Sequence, residues 1–458
     1  MAAAVIFFSQ TVFFFLSLEL STSELMCPLR VNHTNHCQCS TEDPLEIRCR
    51  HLDAIPRFTS DHLHRPQRIY AGLYLAAQNI GSLPDWSFEN LLVQKIVLNF
   101  NPIGDRLGSQ YHGVDHQEGD HEERKHLREN RQGEDSQKGT KVFSGLEMVL
   151  RELHLGGCRI KTLPPELIVS LVELRVLHLW ANHIEAIPSN LFSANRNLRE
   201  LILWGNDLED IDSGTFKGLT HLRRLDLDNN NIRRLDKDAF RWMADLEWLH
   251  LGRNNIHALF QDTFYHLENL RVLHLGGNGL GYVYGEAFQR LKRLRSLILD
   301  DNKITFLPDD VFVRLGRLDT LQLASNRLEY VWARTFAGLK SLRRLTLSGN
   351  RLTHLPDGLL HQAPALAHLA VDRNQLRTLH QCIIPRSTQL RSLSYLDNPV
   401  ECDCRLYWVL LFRLERRGFV WGSCQNIELG HWNTLDDVIT SNYTNNGCVL
   451  QHCMYTSS

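Results

Sequence analysis

After Leu18 the sequence contains no apolar run long enough to cross a bilayer, so no membrane span is expected beyond the first residues. It also has almost no charge excess: 50 Lys and Arg stand against 52 Asp and Glu, for a formal net charge of -2, which argues against a surface built generally for nucleic acid. No set of nucleophile, base and orienting residue recurs at a recognisable spacing, and no metal-ligand spacing occurs outside clustered cysteines, so neither an enzyme nor a cofactor or metal is expected. The nearest approach is HEERKH at His121 to His126, which misses the zincin motif because its histidines are five apart and do not share a helical face. His112 and His116 do have helical i, i+4 spacing, but they lie in a polar stretch better read as a protease-sensitive or partner-contacting loop than as a metal site.

What the sequence does have is a period. Asn182, Asn206, Asn230, Asn254, Asn278, Asn302, Asn326, Asn350, Asn374 and Asn398 recur every 24 residues. Each closes the same phrase, as in LRVLHLWAN or LRSLILDDN, with the template L-x-x-L-x-L-x-x-N. Two leucines separated by one residue face one side of an extended strand and leave the intervening residue to the other. The asparagine offers both amide donors and a carbonyl acceptor, which suits a buried turn whose backbone groups would otherwise go unpaired. A second column, Phe192, Phe216, Phe240, Phe264, Phe288, Phe312 and Phe336, keeps the same interval and predicts an aromatic spine towards the convex side. The template resembles the leucine-rich repeat signature, whose units bury their leucines only by stacking. The expected fold is therefore an α/β solenoid, a horseshoe with a parallel sheet on its concave face.

The ends differ from the middle. Residues 1–23, with the apolar run Val5 to Leu18, read as a signal peptide, so a secreted or cell-surface-associated protein is expected. Cys27, Cys37, Cys39 and Cys49 then form C-x9-C-x-C-x9-C within an amino-terminal cap at 24–65. In an oxidising compartment four thiols so close predict two disulfides rather than a zinc site. Repeats fill 66–398, and a carboxy-terminal cap at 399–458 carries Cys402, Cys404, Cys424, Cys448 and Cys453. In that cap, Leu406 to Leu414 has helical apolar spacing suited to covering the solenoid end. Sequons at Asn32 and Asn442 predict glycosylation. Earlier rungs of the ladder are Gln78, Asn101 and Cys158, the last a small thiol in place of the amide. Between the last two rungs lies an insertion at about 105–141, polar enough to be expected disordered. Cys382 sits in the final repeat, close enough to the second cap to pair with one of its cysteines.

This plan of cap, repeats and cap resembles the extracellular leucine-rich repeat family with cysteine-rich flanks, to which the Nogo receptor, Slit, chaoptin and the Toll ectodomains belong. The resemblance implies pairings of Cys27 with Cys39, Cys37 with Cys49, Cys402 with Cys424 and Cys404 with Cys448. It also implies a binding role in adhesion, guidance or receptor signalling, with a protein ligand or cell-surface receptor as partner.

Partner recognition has to be sought in the residues between the leucines. The middle position of each strand reads His154, His178, Ile202, Asp226, His250 and His274; the following column includes Trp180, Trp204 and Asp228, and the preceding one Arg224 and Trp248. Exposed tryptophan is rare, so Trp180, Trp204 and Trp248, with the four histidines and Arg224, Asp226 and Asp228, form the expected ligand-binding face. A further column, Arg151, Arg175, Arg199, Arg223, Glu247, Arg271, Arg295, Asp319, Arg343, Ala367 and Arg391, raises the alternative of a matrix protein gripping sulfated glycosaminoglycan. Recognition of microbial surface ligands in innate immunity is a third reading of the same fold.

Overall fold

The computed structural model describes residues 37–40, 45–55, 69–85, 87–88, 91–105, 142–361, 363–383, 389–402, 404–426 and 431–434. The signal segment, Cys27, Asn32, residues 106–141, Asn442, Cys448 and Cys453 lie outside these, as do the side chains of Cys39 and Cys404.

Each leucine phrase yields a three-residue strand, and successive strands pair in parallel without offset: Leu153 aligns with Leu177, Leu177 with Leu201 and Leu201 with Leu225. Among the described residues sixteen strands make one continuous sheet. The strand Lys95–Val97 pairs directly with Glu152–His154, so the long insertion leaves the register intact. Identical spacing is the cause, because one interval per turn brings each leucine over its predecessor.

The asparagines do what their two-sided amides suggest. Asn206 donates from Nδ2 to the carbonyls of Leu179 at 3.0 Å and Leu203 at 2.8 Å, and its Oδ1 accepts the Ile184 N–H at 3.1 Å. The Leu203 carbonyl also accepts from Asn230, so each rung is bonded to the next. The irregular rungs work by substitution. Gln78 accepts the Leu52 N–H and donates to the Ala76 carbonyl. Cys158 places Sγ 3.2 Å from the Leu98 carbonyl, and burial pushes this free thiol up to about 11. All seven phenylalanines are buried, with ring centroids 6.2 to 6.4 Å apart along Phe216–Phe240–Phe264 and Phe288–Phe312–Phe336.

Helix is scarcer than the α/β expectation implies. Among the described residues the one α-helix is Tyr407–Arg416, alongside short 3-10 turns. Elsewhere the return segments satisfy their backbone locally, as in Leu219 N–H to the Phe216 carbonyl, and need no longer helix. The ends close the sheet. Cys37–Cys39 runs antiparallel to Glu46–Cys49 and is tied to it by the Cys37–Cys49 disulfide. At the other end Phe419–Trp421 adds a parallel strand beside Ser392–Ser394, and a Cys402–Cys424 disulfide anchors it. Cys382 is disulfide-bonded as well. The helix Tyr407–Arg416 buries Val409 and Phe412 and hydrogen-bonds Trp408 Nε1 to the Leu379 carbonyl, covering the last repeat.

Candidate binding face

On the exposed side of the sheet, side chains at the same place in successive strands form columns. Inward curvature crowds them. The central column is therefore half-buried rather than free, and Asp226 and Ile202 are buried at 8% and 5% exposure, which corrects their expected place on an open surface.

The tryptophans divide into two groups. Trp180 and Trp204 stack in parallel, with centroids 5.5 Å apart and planes 4° apart. Phe100 meets Trp180 edge-on at 5.2 Å, extending the file by one ring. Trp180 lies flat because Gly156 beneath it has no side chain; a Cβ there would overlap the indole. Phe100 is 60% and Trp204 40% exposed, so the file offers its apolar surface to solvent. Such a stack contributes roughly 0.5–1.5 kcal/mol beyond area burial. Trp248, also exposed, stands on the other side of the histidine column, aligned with Arg224 and Val272, and does not join the file. Phe100 escaped the sequence reading because it lies beside an imperfect rung, in NFN rather than in the regular phrase.

Between these groups runs a chain of polar contacts. Lys95 pairs with Glu152 at 2.8 Å, Glu152 reaches His154 Nε2 at 3.4 Å, and His154 Nδ1 meets His178 Nδ1 at 2.8 Å. His178 Nε2 in turn lies 3.1 Å from Glu200. One imidazole of the pair must accept. Burial, reinforced by the neighbouring His178, drives His154 down to about 4 despite Glu152, so His154 is neutral at physiological pH.

A second polar group follows. Asp226 Oδ2 is 3.6 Å from His250 Nδ1, and Asp228 Oδ2 is 3.8 Å from that nitrogen and 3.0 Å from His274 Nδ1. The bond to Asp226 raises His250 above the ordinary histidine range. Burial pulls Asp226 up, but His250, the Asp228 N–H and Arg224 together leave it below the usual carboxylate value. Asp228 Oδ1 accepts the Gly252 N–H at 2.5 Å, and Asp300 and Asp372 repeat that bond to Ala324 and Leu396. Asp228, Asp300 and Asp372 thus form an outer ladder spaced three repeats apart, a signal present in the sequence and overlooked in reading it.

The arginine column lines one side of the sheet, where Glu247 pairs with Arg271 at 3.1 Å and Asp319 with Arg343 at 3.6 Å. A second aromatic row lies off the sheet. Tyr282 stacks on Phe306 at 6.4 Å, and Tyr330 packs against both Phe306 and Trp332. Tyr282, Phe306 and Tyr330 keep the 24-residue interval and were equally legible.

The family model described as "Leucine rich repeat" matches residues 149–208, 196–256, 244–304 and 292–352. Among solved structures, a chain of the octameric complex of Latrophilin 3 (Lec, Olf), Unc5D (Ig, Ig2, TSP1) and FLRT2 (LRR) is 26% identical, with a TM-score of 0.57 over 66% of this chain and 91% of that one. An LRR protein of Leptospira interrogans is 23% identical, with a TM-score of 0.55 over 81% of this chain and 88% of that one, a likeness of fold. No curated protein matches in sequence.

Proposed function

We propose that this chain, a leucine-rich repeat protein whose solenoid is closed at both ends by disulfides, is an extracellular or cell-surface-associated module that recognises a protein partner on its concave face. Adhesion, guidance or receptor signalling is the setting this reading favours, and binding rather than catalysis is the activity. The observation that carries it is the aromatic file Phe100–Trp180–Trp204, whose Phe100 and Trp204 are exposed, beside a column of histidines and carboxylates. Protein interfaces concentrate their energy in such aromatic anchors, with charged residues at the edge supplying orientation. Arg224 and Asp228 fit that role, and His154, His178, His250, His274 and Trp248 share the same face. The disulfides favour an oxidising compartment. The complex holding the 26% identical chain is an assembly of three different proteins, which favours a protein over a small-molecule ligand.

Glycosaminoglycan binding through the arginine column has less support, since Glu247 and Asp319 neutralise the row where they interrupt it. Two measurements separate these readings. A partner that co-purifies with the secreted wild-type protein should lose at least ~30-fold in affinity for Trp180→Ala/Trp204→Ala, the scale of an interface hot spot. Unchanged affinity, with heparin retention that only high salt reverses, would instead point to the arginine column.

A further inference from the structure

The histidines and aspartates at the centre of the concave sheet are arranged as metal ligands as well as hydrogen-bonding partners. We propose that Asp228, His250 and His274 form a binding site for a divalent transition-metal ion, zinc by preference, with the fourth position left to water. The donor atoms of Asp228, His250 and His274 lie within 4.8 Å of one another. Tetrahedral zinc with bonds near ~2.0–2.1 Å needs neighbouring donors about 3.3 Å apart. The separations of Asp228 from His274 and His250, 3.0 and 3.8 Å, bracket that figure. Two imidazoles and one carboxylate, with water in the open position, suit zinc, whereas calcium and magnesium favour oxygen alone.

The surroundings hold these donors in place. Asp226 Oδ1 accepts the Asp228 N–H and Asp228 Oδ1 accepts the Gly252 N–H, so each carboxylate is anchored by one oxygen and presents the other to the imidazoles. Outer bonds of this kind orient metal ligands. Gly252 leaves room for the His274 ring, which a Cβ at that position would strike. Arg224 reaches Asp226 Oδ2 only at 4.0 Å, at the edge of an ion pair. The ligands come from consecutive turns, 24 residues apart, and the ion would tie three strands of the sheet together. This inference does not depend on the proposed protein partner.

The test uses the full-length, tag-free protein, stripped with chelator and titrated with Zn²⁺ by calorimetry and with Co²⁺ by visible absorption. The wild type should bind one equivalent more than His274→Gln or His250→Gln, and its Co²⁺ complex should show the intense d–d bands of four-coordinate nitrogen and oxygen ligation. His112→Ala/His116→Ala should keep that equivalent. Circular dichroism separates loss of the site from loss of fold, and His274→Cys, if folded, should restore binding with a thiolate charge-transfer band. Equal stoichiometry in wild type and both folded glutamine variants would overturn the proposal, as would a wild type that binds no Zn²⁺ at all.

Discussion

The two halves of the concave sheet share one backbone and differ in what they display. From Lys95–Val97 to Val272–His274 the exposed columns hold tryptophans, histidines, glutamates and aspartates in contact with one another. From Ser296–Ile298 to Ser392–Ser394 the same central column reads Ile298, Gln322, Thr346, Ala370 and Ser394, small or neutral side chains. Beneath both halves the asparagine ladder is the same. Asn302 donates to the Leu275 and Leu299 carbonyls and accepts the Leu280 N–H at distances within about 0.2 Å of those at Asn206. The ladder therefore sets the fold and is indifferent to the face above it, which leaves that face free to differ between the halves.

The largest expected effect tests the shared part of that comparison. Asn206→Ala and Asn302→Ala each orphan one buried N–H and halve the donors at two carbonyls. Each should cost roughly 2–4 kcal/mol at ~1–3 kcal/mol per stranded group, and equally in both halves by urea denaturation. A clear difference between them would mean that the display, not the ladder, stabilises one half. A smaller effect should be confined to the amino-terminal half. Gly156→Ala should force Trp180 out of its stack, shift tryptophan fluorescence to the red and weaken partner binding by about tenfold, with stability changed by less than ~1 kcal/mol. The equivalent change in the other half, Ser348→Ala, should leave fluorescence and binding as they are.

The smallest effect depends on pH. The folded state holds His154 near 4, below its ordinary value, so the unfolded chain binds the extra proton first as pH falls through the range between them. Stability is full above the ordinary histidine value and is lost as pH drops towards 4. Glu152, Lys95 and His178 face this ring, and the first opposes the shift without cancelling it. His154→Gln should melt at the same temperature as wild type at neutral pH and a few degrees higher in mild acid. Thr346→Ala in the other half should show no such pH-dependent gain.

Much of this was legible in the residues. The interval of ten asparagines predicted the parallel register and the Cys158 rung, and the phenylalanine column of the same interval predicted the buried spine, because a strict period admits one stacking. The resemblance to capped repeats implied the Cys37–Cys49 and Cys402–Cys424 pairs, and both are present. The candidate binding face was legible only as a list of columns. Sequence could mark Trp180, Trp204 and Trp248 as unusual, yet could not show that two stack and the third stands across the histidines. Phe100 and the Asp228–Asp300–Asp372 ladder are not marked by the leucine phrase, the first standing beside an irregular rung and the second recurring only every third turn.

The sequence by itself thus determined the repeat, its register and the identity of each column, since those follow from spacing along one chain. Only the tertiary structure decided which side chains meet. Contacts such as His154 with His178, or Asp228 with His274, span one or two turns of the solenoid and depend on curvature, ring orientation and the room left by Gly156 and Gly252. No periodicity encodes those distances, because they are set by packing between turns rather than by order within one.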